Sequence, residues 1–222
     1  MSALFTMSIE ESIEKLLAHC HRRTFAGKAA IIRQGDPAGE LYYIISGSVT
    51  VLLEDDKGHE IVLAYLNPGD FFGEIGLFNE DASRTALVRA RSETEIAQIG
   101  YKKLKGLTEI YPDLIVAMTS QLARRLRNTN RKLGDLAFMD VYGRVARTLL
   151  DLCDQPDAMT HPDGMQVRVT RQELSRLVGC SREMVGKVLQ DMEEQKHISA
   201  AGKNIVVLGV RPKPPERRRE QQ

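Results

Sequence analysis

The spacing of apolar positions changes character several times along the chain. Over residues 8–20, Ile9, Ile13, Leu16 and Leu17 recur at helical steps and predict an amphipathic helix. From about 24 to 100 the helical step disappears. Short runs rich in β-branched and aromatic residues, LYYII (41–45), VTVLL (49–53) and IVLAYL (61–66), alternate with turn signals at QGDPAG, SG, DDKG and NPGD. Strands at roughly ten-residue spacing predict a small sandwich or barrel. Beyond Pro112 the helical step returns over 111–137, with Ile115, Met118, Leu122, Leu126, Leu133 and Leu136 in line and Thr129 as the polar break. Such a narrow seam is that of a coiled coil. A solitary helix of this length is marginal in water, so the seam wants a partner, and a second copy of the same helix is the simplest. Arg124, Arg125, Arg127, Arg131 and Lys132 fall mostly outside it.

Asp140 then caps a predicted helix over 141–154. A loop follows at 155–164, and MQVRVT (165–170) alternates as a strand does. Two further helical patterns over 171–195 break at Gly179-Cys180-Ser181, and IVVLGV (205–210) reads as a closing strand. RPKPPERRREQQ has no apolar residue and reads as a disordered tail. The predicted organisation is therefore a β-rich domain over 1–110, a helix and hinge over 111–139, a small helical domain over 140–211 and a tail over 212–222.

Composition narrows the possibilities. Hydrophobic residues make up 42% of the chain, enough to bury a core. The net charge of +1 is silent about polyanionic partners, so any such argument must be local. No apolar run reaches the length of a membrane span, and the N-terminus lacks a basic start followed by an apolar block. Cys20, Cys153 and Cys180 are odd in number and widely spaced, as expected of a reduced, cytoplasmic chain without a zinc or iron–sulfur site. Of the five histidines only His19 and His21 are close in sequence, so neither a metal site nor a catalytic group is predicted.

Local charge is more informative. Between Arg168 and Lys187 five basic residues face two acidic ones. This segment is also the helix–turn–helix pattern: Leu174, Leu177 and Val178 inward on the first helix, a Gly at the turn, Ser181 as cap, and Met184, Val185, Val188 and Leu189 inward on the second. The outward N-terminal residues are then Arg182, Glu183, Gly186 and Lys187. Arg can take two guanine acceptors and Glu can accept from the cytosine amino group, which are base-edge chemistries. Thr170, Arg171, Gln172 and Ser181 stand beside them, where phosphates are held. A single reading helix works as a dimer on a two-fold symmetric site, and the seam supplies that dimer. One more pattern asks for an explanation. In FGEIGLFNEDASRTA (72–86), the first acid, Glu74, and the single base, Arg84, stand ten residues apart. They fit either a salt bridge across a loop or a pocket for a ligand with both a sugar and a phosphate.

Six segments carry a resemblance: LYYIISGSV (41–49), GEIGLF (73–78), GYKK (100–103), LARRL (122–126), QPDAMTHPDGMQ (155–166) and TRQEL…VGCSRE (170–183). Over about residues 12 to 211 the chain resembles the bacterial cyclic AMP receptor protein (catabolite activator protein) family, with its virulence-regulating relatives in pseudomonads. The resemblance implies an α+β fold: an N-terminal cyclic-nucleotide-binding β-roll (jelly roll), a long dimerising helix and a C-terminal winged helix–turn–helix. It implies a cytoplasmic homodimer that binds cyclic AMP and double-stranded DNA and regulates promoters through RNA polymerase contacts. On this sequence it puts Gly73 and Glu74 at the ribose, Arg84 and Thr85 at the cyclic phosphate, and Thr129 and Asn130 at the adenine. Guanidinium suits the phosphate, being planar, permanently charged and fork-shaped. Arg182, Glu183 and Lys187 fall on base contacts, with Lys187 where Arg is common. Thr160 and His161 in the 159–164 loop, and a basic patch of His21, Arg23 and Lys103, fall on polymerase-contacting surfaces. Thr85 and Asn130 stand where Ser is usual, which keeps cyclic GMP as an alternative ligand beside a cyclic dinucleotide or none. If no ligand separates them, Glu74 and Arg84 are expected to pair.

Overall fold

The computed structural model describes residues 8–78 and 83–212; most of the predicted tail, residues 213–222, lies outside them. The chain divides into two compact units between Arg131 and Lys132. No helix among the described residues is long and apolar enough to cross a membrane.

The first unit opens with α1 (Ile9–Leu17), whose Ser8 and Glu11 form a reciprocal capping box. Eight strands follow: β1 (His21–Phe25), β2 (Ala30–Ile32), β3 (Glu40–Ser46), β4 (Val49–Glu54), β5 (Glu60–Leu66), β6 (Phe71–Phe72), β7 (Leu87–Ala90) and β8 (Thr94–Gly100). They form two antiparallel four-stranded sheets, in the orders β1-β8-β3-β6 and β2-β7-β4-β5. The non-sequential orders are those of a rolled sheet. Alternation along the strands sorts side chains between two cores. Tyr42, Ile44, Phe72 and Ile96 join Val49, Leu66 and Val88 inside the roll. Leu41, Phe71 and Ile99 point the other way, onto Leu16 of α1, Leu104 of α2 (Tyr101–Ile110) and Leu114 and Met118 of α3 (Asp113–Phe138). Each fully buried side chain of this size contributes about 1.5–3 kcal/mol.

The predicted seam on α3 is divided. Met118 is buried against the unit's own core, whereas Leu126 and Leu133 are 63% and 66% exposed, with Leu136 open beside them. The first half of the helix is thus packed on its own roll, and an apolar stripe farther along stands in solvent.

The second unit comprises α4 (Val141–Cys153), β9 (Met159–His161), β10 (Gly164–Arg168), α5 (Arg171–Val178), α6 (Arg182–Glu194), β11 (Ile198–Ala201) and β12 (Asn204–Leu208). The sheet order is β11-β12-β10-β9. Asp140 caps α4 by accepting from the Gly143 amide. The predicted loop at 159–164 is instead a tight hairpin, with Met165 opposite Thr160 and Gly164 opposite His161. Three residues are too few to show a strand's period, so β9 is not legible as one in the sequence.

Candidate nucleotide site and nucleic-acid interface

Glu74 and Arg84 come from separate elements that the roll brings to one end. Glu40 at the start of β3 is opposite Gly100 at the end of β8, and Tyr42 is opposite Phe72 at the end of β6. Gly73 and Glu74 therefore emerge beside Glu40 and Tyr101. Arg84 is fixed through its backbone: its amide donates to the Asp36 carbonyl at 2.7 Å, and its carbonyl accepts from the Gly35 amide at 2.8 Å.

Both charges are buried, each 8% exposed, and they do not pair as expected. Arg84 Nη1 donates to the Gly73 carbonyl and to Tyr101 Oη, each at 3.1 Å, while Nη2 donates to the Glu40 carbonyl at 2.9 Å. The guanidinium lies over the Tyr42 ring, which stacks on Phe72 at 4.9 Å. Tyr42 Oη donates to Glu40 Oε2 at 3.0 Å, and Gln98 Nε2 donates to Oε1 at 2.6 Å. Burial, then the Glu40 hydrogen bond, pushes the Tyr42 hydroxyl up to about 12; burial also raises Tyr101. Both stay protonated at neutral pH and can donate. Arg84 also lines an open cavity of about 250 Å³ with Glu40, Tyr42 and the 36–39 turn, whose lining does not include Gly73 or Glu74.

Glu74 is gripped from α3. Arg125 Nη1 meets Glu74 Oε1 at 3.2 Å, and Arg125 Nη2 also donates to the Phe71 carbonyl. Gln121, one turn earlier, brackets the same loop: Oε1 accepts from the Phe71 amide at 2.9 Å and Nε2 donates to the Gly69 carbonyl at 2.8 Å. Arg124 Nη2 reaches Asp70 at 2.9 Å. Sequence reasoning left these three unassigned, although 121, 124 and 125 share one helix face.

Gly73 is required twice over. Its φ is +79°, which side chains rarely adopt, and a Cβ there would stand 2.8 Å from Arg84 Nη1. Thr85 is exposed. Thr129 and Asn130 are exposed on α3, one turn beyond Arg125, and Thr129 Oγ1 donates to the Arg125 carbonyl at 3.0 Å.

In the second unit, Gly179 ends α5 in the left-handed conformation (φ +72°), and Thr170 and Ser181 cap α5 and α6 by accepting from the Glu173 and Met184 amides. Val185, Val188, Leu189 and Met192 are buried. Met184, predicted inward, is 42% exposed, because it lies at the edge of the face that those four define. Arg171, Gln172, Arg182, Glu183 and Lys187 are all exposed, and Arg171 reaches toward Gly186 of α6. Hydrogen bonds from the Glu183 amide and the Ser181 hydroxyl hold the Glu183 carboxyl below the usual range. Of the residues assigned to polymerase, Thr160 is exposed and His161 half-buried on β9. His21 and Arg23 lie exposed on one face of β1, and Lys103 Nζ donates to the His19 carbonyl at 2.8 Å.

Comparison with known proteins agrees with both regions. Residues 22–111 match the cyclic nucleotide-binding domain, and residues 143–211 match the Crp-like helix–turn–helix domain. The cAMP-activated global transcriptional regulator Vfr of Pseudomonas aeruginosa is 57% identical over 202 residues, covering 90% of this chain and 94% of that one. The cAMP-activated global transcriptional regulator CRP of Salmonella typhimurium is 53% identical, covering 91% and 96%. Among solved structures, the c-di-GMP responsive global regulator CLP of Xanthomonas campestris superposes with a TM-score of 0.85 at 46% identity, covering 90% of this chain and 99% of that one.

Proposed function

The chain belongs to the Crp family of cAMP-activated global transcriptional regulators, and we propose from its geometry how it performs that role. It is a cyclic-AMP-responsive DNA-binding regulator. The observation that carries the residue assignment is the division of labour between two buried charges, each already braced by the protein and each with capacity left over.

Glu74 gives Oε1 to Arg125, leaving Oε2 to accept from a ribose hydroxyl. Arg84 supplies positive charge and N–H donors to the cyclic phosphate, with Thr85 beside it. Thr129 and Asn130 serve the adenine, one turn beyond the residue that grips Glu74. This donor set fits a cyclic mononucleotide: an acceptor for the sugar and a guanidinium for the phosphate.

The exposed stripe of Leu126, Leu133 and Leu136 is where a second copy of α3 packs, so the regulator is a homodimer. Arg182, Glu183 and Lys187 read base edges of a two-fold symmetric site, while Thr170, Arg171, Gln172 and Ser181 hold phosphates. Thr160, His161, His21, Arg23 and Lys103 form the surfaces offered to RNA polymerase. The protein works in the cytoplasm and catalyses no reaction.

The test is DNA affinity, read by fluorescence anisotropy on a symmetric site, with cyclic AMP, cyclic GMP and a cyclic dinucleotide titrated in parallel. Cyclic AMP tightens binding and Arg84→Leu abolishes that response. A full response in Arg84→Leu overturns the pocket assignment; a stronger response to either other nucleotide overturns the ligand.

A further inference from the structure

Arginine carries five N–H donors: one on Nε and two on each Nη. Arg84 Nη1 faces the Gly73 carbonyl and Tyr101 Oη, which lie so close to each other that one N–H serves both, and one Nη2 donor goes to the Glu40 carbonyl. The flat face of the guanidinium lies over the Tyr42 ring. Among the described residues Nε–H has no protein acceptor, and it shares one edge of the guanidinium plane with Nη2. That edge is the fork that matches two oxygens of a phosphate.

Two of the three engaged contacts are to backbone carbonyls. The third is the Tyr101 hydroxyl, which also donates to the same Gly73 carbonyl, so Arg84, Tyr101 and Gly73 form a closed triangle. The surroundings hold Tyr101 in place. Its amide donates to the Gly39 carbonyl at 2.9 Å. A Cβ on Gly76 would stand 2.8 Å from Tyr101 Oη and 2.5 Å from Ala38 Cβ, so only a glycine admits the hydroxyl at this depth. Tyr101 is also the first residue of α2, directly after β8.

We propose that Tyr101 is a positioning residue for phosphate recognition: by occupying the far side of the Arg84 guanidinium it presents the Nε/Nη2 edge to the two exocyclic oxygens of a cyclic phosphate. This rests on the reading that Arg84 holds the phosphate. It assigns Tyr101 no contact with the ligand. A freely rotating guanidinium would offer either edge to either oxygen; a fixed one distinguishes them.

The probes are cyclic AMP and the two phosphorothioate epimers of cyclic AMP, each with sulfur in place of a different exocyclic oxygen, measured by calorimetry on the full chain. In the unaltered protein one epimer binds much more tightly than the other. Tyr101→Phe, which removes only the hydroxyl, weakens cyclic AMP about tenfold, in line with loss of a hydrogen bond to a charged group, and brings the epimer ratio toward one. An unchanged affinity overturns the proposal. So does equal weakening of all three ligands with the ratio preserved, since that is the signature of a loosened pocket rather than a misaimed guanidinium. Arg84→Leu separates the underlying reading: if it binds cyclic AMP as the unaltered protein does, the phosphate assignment fails and the role of Tyr101 falls with it. If Arg84→Leu loses binding while Tyr101→Phe does not, only the positioning role fails.

Discussion

Replacing Arg125 by Leu tests whether α3 holds Glu74, the carboxylate proposed to receive the ribose. The pair is sheltered: the Arg125 side chain is 22% exposed and that of Glu74 is 11% exposed. It lies between the surface regime, where an ion pair contributes about 0–1 kcal/mol, and the buried regime, where removing one partner costs about 3–5 kcal/mol. Arg125 also donates to the Phe71 carbonyl, whereas its second carboxylate, Asp70, stands 4.0 Å away and adds little. A loss of about 2 kcal/mol follows, which for a unit of this size lowers its melting temperature by about 6–10 °C. The chain has no Trp, so scanning calorimetry is the suitable assay, with circular dichroism in support. Glu74→Gln provides the cycle: if the two residues act through each other, the double variant is more stable than the sum of the single losses implies. Binding provides a second readout. Cyclic AMP affinity falls about tenfold, about 1.4 kcal/mol, while the 2′-deoxy analogue, which has no hydroxyl for Glu74, is nearly unaffected. Arg124→Leu is the control, because Arg124 is 57% exposed and its bond to Asp70 is worth well under that of Arg125. A melting shift below about 2 °C for Arg125→Leu, or equal loss for both nucleotides, refutes the reasoning.

Two further outcomes are expected. Gly73→Ala puts a side chain on a left-handed residue, at about 1–2 kcal/mol, and drives its Cβ against Arg84 Nη1; calorimetry should find both the lost stability and at least tenfold weaker cyclic AMP binding, and affinity within twofold would contradict it. Burial pushes the Cys20 and Cys153 thiols up to about 11, so at pH 8 only about one molecule in a thousand carries either thiolate. Iodoacetamide labelling should then be far slower than for a free thiol and rise about tenfold per pH unit toward 11, as long as the fold persists; labelling at the free-thiol rate at pH 8 would contradict it.

How much of this is visible in the letters depends on which chemistry has a letter. The helix–turn–helix is legible because its determinants are local: Leu174, Val178, Val185 and Leu189 at helical spacing, Ser181 as cap and Gly179 at the left-handed turn. The long runs of β3, β4 and β5 are legible for the same reason. β6 and β9, with two and three residues, have no period to read. Within the site, Glu74 stands out beside Gly73, and Arg84 as the single base of 72–86, but what each one bonds does not. Two of the three Arg84 acceptors are backbone carbonyls, which any residue carries. The partner of Glu74 lies 51 residues away, on a helix whose sequence advertises an apolar seam. The expected Glu74–Arg84 pair was the nearest opposite charge in sequence. The fold supplied a nearer one in space.

That exchange of partners changes what the ligand has to act on. Had Glu74 paired with Arg84, a nucleotide would only have to separate the two pocket residues, and nothing else would move. Instead the carboxylate assigned to the ribose is held by α3, with Gln121 and Arg124 bonding the 69–71 loop from the same helix. Thr129 and Asn130 follow on that helix, and so do the exposed Leu126, Leu133 and Leu136. A ligand shifts a conformational equilibrium only by the difference in its affinity for the two states. Here the difference can arise at Arg125, which keeps Glu74 Oε1 and so aims Oε2 at the place assigned to the ribose. A contact of about 2 kcal/mol corresponds to a factor of about 30 in an equilibrium, within the range by which allosteric effectors change the affinity of a second site. The Glu74–Arg125 pair is therefore strong enough to account for coupling between nucleotide and helix without the ribose having to displace it.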